Sequence, residues 1–195
     1  MLPAYAELHA LSHFSFQRAA SSPDEMVARA AALGYSALAI TDECSMAGVV
    51  RAHVAAREHG LKLLVGSQFR VQGEPAFTLV LLATSLDAYG HLCEFITRLR
   101  RRSPKGSYRL APGDIDGAAL AGCLAIAVPD STATQDDTDA IARWLLATGE
   151  APDRYVISQG TVLGRAGRVH VEQDAQGVLW TGGGTVTCIH GQVML

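Results

Sequence analysis

Apolar and polar positions alternate in blocks along the first 130 residues, and the blocks predict strands and helices in turn. The stretch "YAELHAL" reads as a short strand. In "SSPDEMVARAAALG" the helix start is written twice, with Ser22 as N-cap, Pro23 at the first helical position and Glu25 three residues after the cap; Gly34 ends it. "SALAIT" reads as a buried strand. "MAGVVRAHVAAREHG" has apolar or small residues at helical spacing and closes at Gly60, after which "LKLLVGSQFRV" returns as a strand. The turn-like "QGEP" leads to the strand "AFTLVLLAT", and "SLDAYGHLCEFITRLRRR" follows as a helix. A loop through "SPKGSYRLAPG", a short helical piece and the apolar strand "CLAIAV" complete the series. Strands alternating with helices of about 10–15 residues mean βα units, hence a parallel sheet or barrel.

The texture changes after residue 130. "PDSTATQDDTD" is polar and acidic without an apolar period, so it reads as a linker or helix-capping loop, and "AIARWLLATG" as one more helix ended by Gly149. From Arg154 onward, "RYVISQG", "GRVHVEQD", "GVLWTGG" and "TVTCIHGQVML" are short strand patterns with glycine turns, an antiparallel meander.

Composition narrows the class. With 49% hydrophobic and 18% charged residues among 195, the chain can bury one ordinary core or two small ones. A net charge of -3 excludes a protein that coats nucleic acid or anionic membrane with its whole surface, leaving only local patches. Cys44, Cys93, Cys123 and Cys188 form no C-x-x-C pair, which points away from a zinc ribbon or a disulfide framework and towards reduced thiols. With neither a signal-peptide pattern nor a membrane-length apolar run, the expected compartment is the cytoplasm.

Candidate chemistry sits at the predicted strand ends. Asp42 and Glu43 follow "SALAIT" directly, Glu7, His9 and His13 come at the end of the first strand, and Gln68 at the end of the third. Reacting groups collect at the carboxyl ends of parallel strands, and these are ligand types for zinc or manganese. A bland alternative stands beside this: His9 is a histidine with a backbone partner, and Asp42 caps the helix starting near Ser45.

The stretches "AELHALSHFSF", "LGYSALAITDECSMAGVVRAHVAAREHGLKLLVGSQF" and "ITRLRRRSPKGSYRL" resemble, in order and spacing, the amino-terminal PHP (polymerase and histidinol phosphatase) domain of bacterial error-prone DNA polymerases, over about residues 3–130. The resemblance implies a distorted β/α barrel whose strand ends hold a phosphoesterase site of two or three metal ions. Carried over position by position, that site is damaged. His9 matches the first ligand of the leading motif, but Leu11 stands where the next His belongs; Asp42 matches the second motif, but its partner His is Glu43; and Gln68 replaces a carboxylate. His13 is a candidate stand-in for the His lost at Leu11, its side chain pointing to the same face as Leu11 if the strand continues that far. The resemblance therefore implies a degenerate set of His9, Asp42 and Glu43, holding at most one weakly bound zinc or manganese ion.

Arg98, Arg100, Arg101, Arg102, Lys105 and Arg109, with Tyr108 among them, form a local basic patch. It either contacts DNA or other polymerase domains, or complements the dipole at the end of a helix. His53, His59 and His91 fall in helical patterns and read as surface or half-buried.

The tail has its own resemblance, to the end of phenazine-biosynthesis (PhzF-type) isomerases, through Gln159-Gly160, Leu163-Gly164-Arg165 and the Gly182-Gly183 turn. Of that family's carboxylate-binding loop only Thr134 survives, and its acid and base belong to a portion absent here. The expected architecture is α/β: a partial PHP-type β/α barrel over 1–130, a linker and helix over 131–150, and a small antiparallel β-rich tail over 151–195. A half-barrel has two open strand edges, so self-association is expected unless they are covered. The expected function is that of a scaffold-like fragment of an error-prone DNA polymerase; a metal-dependent phosphoesterase and a PhzF-type isomerase fragment are the alternatives.

Overall fold

The computed structural model describes residues 5–129, 135–147, 149, 152, 154–159 and 167–183. The chain separates into two compact units, residues 1–137 and 138–195.

In the first unit, five strands form one sheet in sequence order: β1 (Ala6–Glu7), β2 (Ala37–Ile40), β3 (Lys62–Val71), β4 (Phe77–Ala83) and β5 (Cys123–Val128). Helix α1 (Pro23–Ala32) links β1 to β2, α2 (Val49–His59) links β2 to β3, and α3 (Leu86–Arg101) lies between β4 and β5. The result is an α/β partial barrel. It is not the all-parallel sheet that the alternation predicts: β1, β2 and β3 are parallel, whereas β3, β4 and β5 pair antiparallel. Only five residues separate β3 from β4, too few for a crossover, so the chain turns back as a hairpin. After α3 the long loop through residues 102–122 carries the chain back, and Cys123 lands opposite Ala83.

Local signals were strong where side chains close their own backbone. Ser22 and Glu25 form a reciprocal capping box, Ser22 Oγ accepting from the Glu25 amide while Glu25 Oε2 accepts from the Ser22 amide at 2.8 Å. Gly60 ends α2 at φ 64°, a left-handed position suited to glycine. All four residues of β2 are buried, which is why "ALAI" does not alternate. On one face Leu38 and Ile40 join Val27 and Ala30 of α1 and Ala52, Ala55 and Ala56 of α2. On the other, Ala39 joins Leu64, Val80, Leu82 and Ile126. Gly66 is required on β3, because a Cβ there would lie 2.5 Å from the Leu81 carbonyl oxygen and 2.6 Å from Leu82 Cδ2.

The first strand is shorter than its apolar pattern. It pairs for two residues only, and the chain continues irregularly beside β2, with Thr41 donating from its amide to the Ala10 carbonyl at 2.8 Å. The other end of the sheet is open: among the described residues β5 pairs with β4 alone, and Leu124 is 60% exposed.

Helix α4 (Gln135–Ala147) begins within the acidic stretch expected to be a linker; Asp137 and Asp139 lie in its first turns, where negative charge suits the helix dipole. The second unit contains an antiparallel sheet of β6 (Arg154–Gln159), β7 (Gly167–Gln173) and β8 (Leu179–Gly183). Asp174 closes the β7–β8 turn, accepting from the Gln176 and Val178 amides and from Trp180 Nε1 at 2.8 Å. Thr134, Gly160 and Leu163-Gly164-Arg165 of the isomerase-like pattern, the predicted strand from Thr185 onward, and Cys188 lie outside the described residues.

Candidate functional site at the strand ends

Asp42 follows β2 and is 1% exposed. A carboxylate so placed needs compensation, and it receives three hydrogen bonds. Oδ1 accepts from the Ser12 amide and the Ser15 hydroxyl, each at 2.8 Å, and Oδ2 accepts from the Ser12 hydroxyl at 2.7 Å. Asp42 therefore fastens the loop after β1. It does not cap α2, whose N-cap is Gly48 with no side-chain cap bond.

Glu43 is committed as well. Oε1 accepts from the Tyr108 hydroxyl at 2.7 Å, and Oε2 receives the Arg18 guanidinium and, at 3.4 Å, Gln68 Nε2. Burial is the main cause that pushes the Tyr108 hydroxyl well above its ordinary range, and its bond to Glu43 adds to this. The same hydroxyl accepts from the Arg70 amide at 2.6 Å.

Gln68 is 1% exposed and bridges the set. Glu43 can only accept, so the amide NH2 faces it, and the amide oxygen is left to face His9 Nε2 at 2.5 Å. An amide oxygen cannot donate, so His9 must carry its proton on Nε2. That nitrogen then has no lone pair for a metal.

The remaining predicted donors are used locally. Glu7 accepts from the Tyr5 hydroxyl at 2.8 Å and the His9 amide at 3.0 Å. Its bond is the main reason the Tyr5 hydroxyl is pushed up to about 12. His13 stacks against Phe14, ring centroids 4.6 Å apart, and its amide donates to the Ser21 carbonyl. Among the described residues, no three His, Cys, Asp or Glu side chains gather as a metal site. As arranged, Asp42 and Glu43 each accept three hydrogen bonds from protein donors, and His9 turns its Nε2 proton to Gln68, so these three side chains face protein partners and not one another.

The basic patch divides in two. Arg100 turns inward, donating to the Cys44 and Glu43 carbonyls, each at 3.2 Å, and lying 5.4 Å from the Tyr108 ring centre. Arg102 grips both oxygens of Asp114, at 2.8 and 2.6 Å, and this pairing holds the Asp114 carboxyl below the usual range. Arg98 stacks on Phe95, and Arg101 and Lys105 are exposed. Sequence reasoning missed Ser12, Ser15 and Arg18 as partners of the acidic pair; the available signal was a serine pair in a turn directly after a strand.

The PHP domain family model matches residues 7–142, well over half of the chain. The chain belongs to the PHP domain family. This PHP domain is 54% identical over 156 residues to an error-prone DNA polymerase of Ralstonia nicotianae, an alignment covering 73% of this chain and 14% of that protein. An error-prone DNA polymerase of Ralstonia pickettii is 43% identical over 201 residues, covering 91% of this chain and 18% of that protein. That second likeness reaches past the family match into the residues after 150. The chain thus spans less than a fifth of the length of these relatives. A solved Bifidobacterium adolescentis structure, described as a metal-dependent phosphoesterase, aligns with a TM-score of 0.44 at 23% identity, covering 51% of this chain and 34% of that one.

Proposed function

We propose that this PHP domain is a scaffold segment of an error-prone DNA polymerase, acting in DNA repair synthesis in the cytoplasm without hydrolysing esters itself. The observation that carries the reading is the set of three hydrogen bonds that Ser12 and Ser15 give Asp42, which makes the best-matched ligand a structural anchor. The relatives' description as polymerases supplies the context. Arg98, Arg101 and Arg102 line a shallow surface pocket of about 440 Å³ with Glu94 and Thr97; Arg102 is held by Asp114, so Arg98, Arg101 and Lys105 are the groups offered to DNA phosphates or to neighbouring polymerase domains. Arg100 is excluded from that role by its internal bonds. In the isolated chain, the open edge of β5 is where self-association would start.

A graft tests the reading: residues 7–142 replace the matching segment of the Ralstonia nicotianae polymerase. Primer extension survives in the graft and is lost when the segment is deleted. Manganese-stimulated hydrolysis of a phosphate ester or a DNA 3′ end by the purified chain, abolished by Asp42→Ala, would instead favour the phosphoesterase reading with zinc or manganese at His9, Asp42 and Glu43. Saturable binding of an anthranilate-like acid would favour the PhzF-type reading of the tail.

A further inference from the structure

The strand ends carry a positive charge of their own. The Arg18 guanidinium lies on Glu43 Oε2, the oxygen that Gln68 Nε2 also approaches, while Tyr108 holds Oε1. The loop that delivers Arg18 is fixed: the Arg18 amide donates to the Ser15 carbonyl at 2.9 Å, Ser15 Oγ donates to Asp42, and Gln17 sits in the left-handed region at φ 62°. Asp42 thus holds the loop, the loop places Arg18, and Arg18 covers Glu43.

We infer that Arg18 is the resident cation of this cluster, its guanidinium neutralising Glu43 and excluding zinc and manganese from the His9–Gln68–Glu43 end of the sheet. A divalent ion approaching Glu43 meets the guanidinium paired with it, and like charges a few ångströms apart repel where solvent is partly excluded. Gln68 completes the arrangement, since a neutral amide joins His9 to Glu43 without adding a second negative charge that would recruit a metal. This does not rest on the polymerase context. Ester hydrolysis by the native chain would defeat the scaffold reading, whereas metal exclusion by Arg18 is judged from metal content alone.

The test uses the full chain and three variants: Gln68→Glu, Gln68→Glu with Arg18→Ala, and Gln68→Glu with Arg18→Lys. The Arg18 side chain is 45% exposed, so truncating it spares the core. Equilibrium dialysis against zinc and manganese, with melting followed in the presence and absence of EDTA, gives the readout. The native chain and Gln68→Glu should hold no stoichiometric metal. The Ala double variant should take up one ion roughly tenfold or more tightly than Gln68→Glu, with a melting temperature that EDTA lowers. The Lys double variant keeps the charge and should behave like Gln68→Glu. Equal binding by Gln68→Glu and the Ala double variant, tight or absent, overturns the inference, as does one equivalent of metal in the native chain.

Discussion

Replacing Asp42 by Asn separates an anchor from a ligand. The substitution keeps the shape but removes the charge from a group 1% exposed that accepts three hydrogen bonds. The amide oxygen can still receive the Ser12 amide and the Ser15 hydroxyl, but the NH2 now faces the Ser12 hydroxyl, which must turn and lose its acceptor. Hydrogen bonds to a charged group contribute about 1.5–3 kcal/mol and neutral ones about 1, so weakening two and breaking one should cost about 2.5–7 kcal/mol. That is a large part of a domain's margin of about 5–15 kcal/mol. At a urea dependence of about 2 kcal/mol per molar, the midpoint should fall by about 1–3.5 M. Far-UV circular dichroism is the appropriate probe, because Trp144 and Trp180 both belong to the second unit and fluorescence would follow that unit instead. The measurement is made in EDTA. If Asp42 served an ion, its neutralisation in a metal-free protein would relieve repulsion, and the midpoint would stay or rise; such a result refutes the anchoring role. Ser12→Ala and Ser15→Ala combined with Asp42→Asn should show coupling of about 0.5–3 kcal/mol rather than additivity.

Other outcomes follow from the same geometry. The Asp114 carboxyl is depressed in the folded state, chiefly by Arg102, so its stabilisation is present above the unfolded value near 3.9 and is lost as pH falls through the folded one; Asp114→Asn should therefore flatten the stability profile below about pH 4. Gly66→Ala should cost more than about 3 kcal/mol by chemical denaturation, since its Cβ would strike strand backbone. Gly48→Ala has an ordinary φ of -82° but would bring a Cβ to 2.9 Å from Asp42 Oδ2, so it should weaken the Ser12–Asp42 anchor and speed amide exchange at Ser12. Burial pushes the Cys44 thiol up to about 11, so iodoacetamide at pH 8 should label it only after unfolding.

What the sequence disclosed was local. Ser22, Pro23 and Glu25 announce α1, and Gly60 ends α2, because these residues satisfy backbone groups within one turn of themselves. The sense of β4 and β5 was hidden, since strand pattern reports burial and not direction; the shortness of the link after Val71 carried the clue. At the site, the ligand types were legible and their use was not. Ser12 and Ser15 lie about thirty residues before Asp42, and Tyr108 lies 65 beyond Glu43, so no spacing rule joins them. Arg100 and Arg102 alternate with Arg101 in a charge run that looks uniform, yet Leu99 beside them is fully buried and the helix face decides which guanidinium turns inward.

The serine-fastened carboxylate also constrains the future of this fold. Turning Asp42 to a metal ion would require it to release the loop that it now secures, so the first step on any such path loosens the molecule before an ion can reward it. A single substitution cannot make that trade.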